Sequence, residues 1–235
     1  MAEEPAPKVV LTRDSLADGS HFDAVRRNLP PGMVLLDAPA LEASLTRALQ
    51  DHDPAADVLL FGYGSLMWNP AFHFTEAKSV LVRGWHRRFC LWSTIGRGSP
   101  HQPGLMLGLD RGGSCRGLLF RIDAKVARDE LLLVWRREMS TGTYHAKWVT
   151  AEVDGHLQRV LTFVVNRAHE RYVGDLPIHE AIGFIRRGRG RLGSCEEYFN
   201  ALIAQLRSMS VRDTGMERLR AALHTKREIG VETNP

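Results

Sequence analysis

Two places in this 235-residue chain combine residue types and spacing suited to chemistry. The first is Glu138. From about Ala124 to Arg137, the apolar residues Ala127, Leu131 and Val134 recur at spacings of four and three, which marks one face of a helix. Four residues past Val134 comes Glu138, a carboxylate where the pattern asks for an apolar side chain. Arg128, Asp129, Glu130, Arg136 and Arg137 lie largely off that stripe. Burial and the C-terminal end of the helix dipole would each raise the pKa of Glu138. A carboxylate tuned upward suits a general base. The competing reading is a frayed last turn, with Glu138 in solvent or paired with Arg137.

The second place is Phe61-Gly62-Tyr63-Gly64-Ser65-Leu66, where a continuous apolar run ends in two glycines around a tyrosine. Glycine permits positive φ and lets backbone N–H groups face a ligand without hindrance from a Cβ. Successive N–H groups in such a turn form an anion nest suited to a carboxylate, with the Ser65 hydroxyl as a further donor. An ordinary turn fits the same residues. The run is neither a dinucleotide fingerprint, because position 67 is Met, nor a phosphate loop, because no Gly-Lys-Ser/Thr follows. Tyr63, Tyr144 and Tyr198 account for three of the chain's four tyrosines. Tyr144 follows Glu138 after a Ser-Thr-Gly-Thr loop, and Tyr198 opens a C-terminal helix. Each suits a site hydroxyl or a core ring whose hydroxyl is satisfied.

Other chemistries fit less well. Cys90, Cys115 and Cys195 are too far apart for a metal knuckle, and an odd number leaves one unpaired. They read as buried thiols in a reducing compartment. The histidines show no ligand spacing, so no metal is expected. Gly-Tyr-Gly-Ser-Leu is not a G-x-S-x-G elbow. Arg186-Arg187-Gly188-Arg189-Gly190-Arg191 is basic enough to meet nucleic acid but has no interleaved aromatics, and reads as a solvated loop.

The elements that must position these residues are short strands bracketed by helices. Residues 1–57 read as a helical extension, with Leu41, Leu45 and Leu49 on one stripe before Asp53-Pro54 breaks it. Residues 58–230 read as the main domain. Its strands are expected at Val58–Phe61, Val80–Trp92, Leu105–Leu109, Cys115–Ile122, Tyr144–Val153 and Arg159–Val165. Helices are expected at Ile178–Arg187, after the capping box Ser194-Cys195-Glu196-Glu197, and at Met216–Lys226. This order predicts an α+β fold and not an alternating βαβ one. The acidic opening Met1-Ala2-Glu3-Glu4-Pro5 does not resemble a secretory signal, and no run suggests a membrane span, so a cytoplasmic protein is expected. A net charge of +4 suits an anionic small molecule as well as nucleic acid, and does not choose between them.

Taken in order, these residues resemble the ChaC-type γ-glutamylcyclotransferases. The likeness runs through Phe61–Pro70, Arg83-Gly84-Trp85, Arg97–Gly104, Trp135–Met139, Gly142-Thr143-Tyr144 and Gly193–Tyr198. The resemblance implies a mixed sheet or small β-barrel with flanking helices. It also implies cofactor-free cleavage of glutathione to 5-oxoproline and cysteinylglycine. Glu138 would be the catalyst, and Phe61, Gly62, Tyr63, Gly64, Ser65, Leu66, Arg97, Tyr144 and Tyr198 would hold substrate. No nucleic-acid or membrane partner is implied. A non-catalytic γ-glutamyl-ligand sensor or cation-transport regulator is the alternative.

Overall fold

The computed structural model describes residues 11–27, 29–30 and 32–228. The acidic opening at residues 1–5 and residues 229–230 of the expected main domain lie outside the described residues. Five strands form a closed barrel in the order β1-β3-β2-β4-β5: β1 (Val58–Gly62), β2 (Glu76–Ser93), β3 (Gly104–Ile122), β4 (Tyr144–Val153) and β5 (His156–Val165). Closure comes where β1 lies parallel to β5, with Leu60 opposite Leu161, and where β2 meets β4 through Leu81↔Glu152 and Val82↔Ala151. Both edges of the sheet are thereby paired, which removes the exposed strand edge of an open sheet.

The largest departure from the expected elements is β3. Leu105–Leu109 and Cys115–Ile122 are one strand, paired with β2 from Ser93↔Gly104 to Glu76↔Arg121. The interruption at Arg111-Gly112-Gly113 is a bulge, with the register shifting between Arg83 and Trp85. Gly112 and Gly113 sit at φ +101° and +66°, a backbone conformation that L side chains rarely adopt. A glycine pair that looks like a turn in sequence bends a long strand here, and pairing continues on both sides.

The helices pack on the barrel in two groups. Before it come α1 (Arg13–Ala17), α2 (Ser20–Arg26) and α3 (Ala38–Leu49), so the segment expected to be helical holds three short helices among the described residues, with none found there between Arg26 and Ala38. Helix α4 (Ala127–Glu138) starts three residues later than expected and lies against α3. Leu41, Leu45, Leu131, Val134 and Trp135 form a cluster with Phe120, Leu161 and Phe163 of the barrel. The Trp135 indole N–H donates to Ser44 Oγ at 2.8 Å, so the largest ring in this layer is buried with its polar atom satisfied.

On the other side, α5 (Ile178–Arg187), α6 (Cys195–Ser208) and α7 (Thr214–Glu228) cover β2 and β3 through Ile182, Ile185, Phe199, Leu202, Leu206 and Leu219. The capping box of α6 forms as expected: Glu197 N–H donates to Ser194 Oγ, and Ser194 N–H to Glu197 Oε2. It fixes where Tyr198 leaves the helix.

Candidate active site

A cavity of about 400 Å³ opens at one end of the barrel, where α4 ends, α6 begins and the β2–β3 hairpin turns. Glu138 is the sole carboxylate among its described lining residues, beside four arginines: Arg97, Arg137, Arg171 and Arg191. Neither reading of Glu138 holds alone. The side chain is 15 % exposed, so it is not in solvent, yet Arg137 Nε does lie 3.0 Å from Oε1. Burial raises its pKa above the ordinary carboxylate value, and the Arg137 charge and hydrogen bond offset part of that. Arg137 is itself anchored by the Asn69 and Pro70 carbonyls.

Two tyrosines face the same cavity. Tyr144 donates its hydroxyl to the Leu107 carbonyl at 2.7 Å, which aims the phenol oxygen and leaves its lone pairs free to accept. Tyr198 is buried from the first turn of α6, beneath the Arg97 guanidinium, whose Cζ lies 5.6 Å from the ring centroid. Burial, then the nearby Glu138 carboxylate, raises the Tyr198 pKa, and a side-chain hydrogen bond with Ser65 opposes the rise. Both phenols therefore stay protonated at neutral pH.

The run from Phe61 to Leu66 divides in two. Ser65 lines the cavity, but Phe61, Gly62, Tyr63, Gly64 and Leu66 are not among its lining residues. Phe61 is fully buried, Leu66 packs on Phe72 and Phe120, and the Tyr63 carbonyl accepts from Arg87. The expected left-handed glycines are also absent, since Gly62 and Gly64 both have negative φ. They serve close approach instead: a Cβ on Gly64 would sit 3.3 Å from the Tyr198 hydroxyl. A single 3₁₀ turn follows at Ser65–Met67, and its first closed bond runs from Met67 N–H to the Gly64 carbonyl. The N–H groups of Ser65 and Leu66 precede that bond, as free donors do at the start of a helical turn.

Arg97 lies in the hairpin loop with its N–H on Ser93 Oγ at 2.9 Å, and burial lowers its pKa. Arg171 was not legible in the sequence. It follows β5 in an irregular segment, and donates from Nε to the Trp92 carbonyl and from Nη1 to Thr143 Oγ1. Arg191 belongs to the basic run, which is bound into the fold: Arg186 donates to the Leu223 carbonyl and Arg189 to Arg186 O. Helix α2 supplies His21, Ala24 and Val25, and Leu11 joins them from just before α1, none of them marked by any motif. All three cysteines are free and buried, and burial raises Cys195 to about 11 and Cys90 to about 12. Among the described residues no metal-ligand cluster is found, and no helix is long and apolar enough to cross a membrane.

The barrel with its end-on cavity has the fold of the γ-glutamylcyclotransferases. It matches the crystal structure of a yeast γ-glutamyl cyclotransferase specific to glutathione, with TM-score 0.66 and 20% identity, over 74% of this chain and 96% of that one. The sequence model described as ChaC-like protein matches residues 58–226, and the chain belongs to that family. The chain is 36% identical to the glutathione-specific γ-glutamylcyclotransferase of Escherichia coli K12, over 89% of this chain and 90% of that protein. It is 31% identical to glutathione-specific γ-glutamylcyclotransferase 1 of Mus musculus, over 74% of this chain and 81% of that protein.

Proposed function

We infer that this chain is a glutathione-specific γ-glutamylcyclotransferase, a lyase that releases 5-oxoproline and cysteinylglycine. The observation that carries the mechanism is Glu138, a half-buried carboxylate of raised pKa set among arginines in the cavity. Glutathione brings two carboxylates and one ammonium, which matches several guanidiniums and one carboxylate.

At neutral pH an α-amino group of pKa about 7.7–8.0 is mostly protonated and cannot attack. Glu138 accepts a proton from the α-ammonium. The freed nitrogen then attacks the substrate's own γ-carbonyl carbon, forming the lactam C–N bond. As the tetrahedral centre collapses, the amide C–N bond to cysteine breaks and Glu138 returns its proton to the departing nitrogen. The ring nitrogen then gives up its second proton to the same carboxylate, which passes it to the released amine. The nucleophile belongs to the substrate, so the chain needs no activated serine or thiol. Holding the glutamyl arm curled supplies the advantage of an intramolecular reaction. Tyr198, Ser65 and the N–H groups at the start of the 3₁₀ turn are suited to the oxyanion. Arg97 and Arg171 are suited to the substrate carboxylates. Residues 58–228 would carry this chemistry as one domain, with the preceding segment as an extension.

The test is purified protein with reduced glutathione, following 5-oxoproline and cysteinylglycine, with Glu138→Gln alongside. Stoichiometric release of both products, lost in the Gln variant, is the expected result. Folded protein that binds glutathione without releasing 5-oxoproline would replace this reading with a γ-glutamyl sensor.

A further inference from the structure

The segment that follows β5 contributes one residue to the cavity lining, Arg171, and its other residues hold it in place. On one side it meets the loop at residues 140–143, which leads out of α4 just after Glu138. Three successive carbonyls of that loop are taken up. Asn166 N–H donates to Thr143 O at 2.9 Å, Asn166 Nδ2 donates to Gly142 O at 3.1 Å, and His169 Nε2 lies 3.0 Å from Thr141 O. On the other side, Arg167 Nε and the Tyr172 hydroxyl donate to the two oxygens of the fully buried Asp110. The Arg171 carbonyl also accepts from Trp92 N–H of β2 at 2.8 Å.

His169 stands between the loop and Arg171. Its second nitrogen, Nδ1, accepts from the Arg171 backbone N–H at 3.1 Å. A backbone N–H only donates and a carbonyl only accepts, so the ring hydrogen belongs on Nε2 and both nitrogens are in use. The Arg171 side chain returns to the same loop. Its Nη1 donates to Thr143 Oγ1 at 3.3 Å, and that oxygen lies 2.7 Å from Thr141 Oγ1, while Nε donates to the Trp92 carbonyl. Arg171 is thus gripped by its backbone through His169 and by its guanidinium through Thr143. Nη2 has no hydrogen-bond partner among the described residues, and Arg171, Thr141, Thr143 and Glu138 line the same cavity. A guanidinium with its plane fixed and a donor unused is suited to a carboxylate.

We propose that His169 is a positioning residue for substrate binding: it locks the Arg171 backbone to the loop after Glu138, so that the guanidinium is set to receive a substrate carboxylate. This rests on the cyclotransferase reading above.

The test is a double-mutant cycle on the full chain. His169→Leu removes both nitrogens, and Arg171→Met removes the guanidinium. His169→Leu is expected to raise the KM for glutathione about fivefold and Arg171→Met about thirtyfold, with kcat within about threefold in each, as when binding shared by ground and transition states is lost. Adding His169→Leu to Arg171→Met is expected to raise KM by no more than about twofold further, because a residue acting through Arg171 then has nothing left to position. Unchanged KM in His169→Leu would overturn the proposal. So would effects that multiply in the double variant, the mark of a histidine that only supports the fold. Should the leucine variant not fold, His169→Ala takes its place with the same expectation. If wild-type protein releases no 5-oxoproline, the cyclotransferase reading has failed separately. Calorimetry with reduced glutathione on the same four proteins then decides the role of His169. Weaker binding in His169→Leu that vanishes in the Arg171→Met background supports it, and multiplying losses, unchanged binding or no binding by wild-type protein overturns it.

Discussion

Two of the carboxylates on helix α4, Glu130 and Glu138, lie eight residues apart and are treated by the fold in opposite ways. At its first turn Glu130 is 3 % exposed and surrounded by donors: Arg13 Nη2 at 2.6 Å, the His73 backbone N–H at 2.9 Å and His73 Nδ1 at 3.1 Å. Burial alone would raise its pKa, but the Arg13 hydrogen bond and the other partners outweigh it, and the pKa falls. At the last turn Glu138 has Arg137 as its ion-pair partner, and burial wins. The buried Asp110 of β3 behaves like Glu130: burial is overcome by Arg167, the Arg111 backbone N–H and Tyr172. A buried carboxylate with a full set of donors is structural, while one left short of donors and facing a cavity can carry a proton in turnover.

The sharpest way to break this contrast is to neutralise each carboxylate in turn. Glu138→Gln is expected to lower kcat by about 10²–10⁴, the range general acid–base catalysis supplies, with stability changed by no more than about 1 kcal/mol. Glu130→Gln is expected to keep kcat within a few-fold while costing about 2–3 kcal/mol in denaturant unfolding, because Arg13 and the His73 N–H lose a charged partner. Folded Glu130→Gln protein without activity would end the distinction.

Acid separates the two further. Glu130 has a lowered folded pKa, so its stabilisation is present above the unfolded value of about 4.3 and is lost as pH falls through the folded value. The destabilisation of Glu130→Gln should therefore shrink toward zero in acid. Glu138 has a raised folded pKa, so the stability it lends is present below the unfolded value and is lost as pH rises through the folded one. Glu138→Gln should accordingly hold its stability, or gain slightly, at neutral pH. In kcat/KM profiles of the wild-type protein, the acidic limb is expected above the ordinary carboxylate range.

A smaller shift is expected from Arg137→Met. Removing the guanidinium that opposes the burial effect moves the acidic limb to higher pH, read as a further fall in kcat/KM near pH 6 relative to pH 8. A limb that stays in place would show that Arg137 does not tune Glu138. The smallest effect is expected from Arg13→Ala. Its side chain is 37 % exposed, so the loss should be about 1 kcal/mol, with activity retained.

Spacing exposed the stripe that ends in Glu138, but the same spacing treated Glu130 as surface. Position on a helix wheel says which face a residue occupies, and not what covers that face. Here α1 and the His73 segment cover Glu130, from 117 and 57 residues away in sequence. The capping box of α6, the helix Ile178–Arg187 and the strand Tyr144–Val153 were legible because each depends on neighbours within a few residues. The single strand β3 was not, because only its partner β2 shows that the chain does not turn at Gly112-Gly113.

For the site, residue pattern picked out Glu138, Ser65, Tyr144 and Tyr198 and the family resemblance added Arg97, and all five line one cavity. The same reading also drew in Phe61 and Gly62, which belong to strand β1, and Tyr63, Gly64 and Leu66, which lead into the 3₁₀ turn, and none of these five lines the cavity. Arg171 and His21 have no local signature, and Arg191 read only as part of a solvated basic run; they join the cavity because the segment after β5, helix α2 and the turn between α5 and α6 arrive at the same barrel end. What sequence by itself determined was the helix phase that puts a carboxylate at position 138 on the apolar face, and the local elements, since helix phase and caps are short-range properties. Tertiary structure alone decided which carboxylate stays short of donors and which cations share its cavity, because burial and partners are supplied by segments distant along the chain.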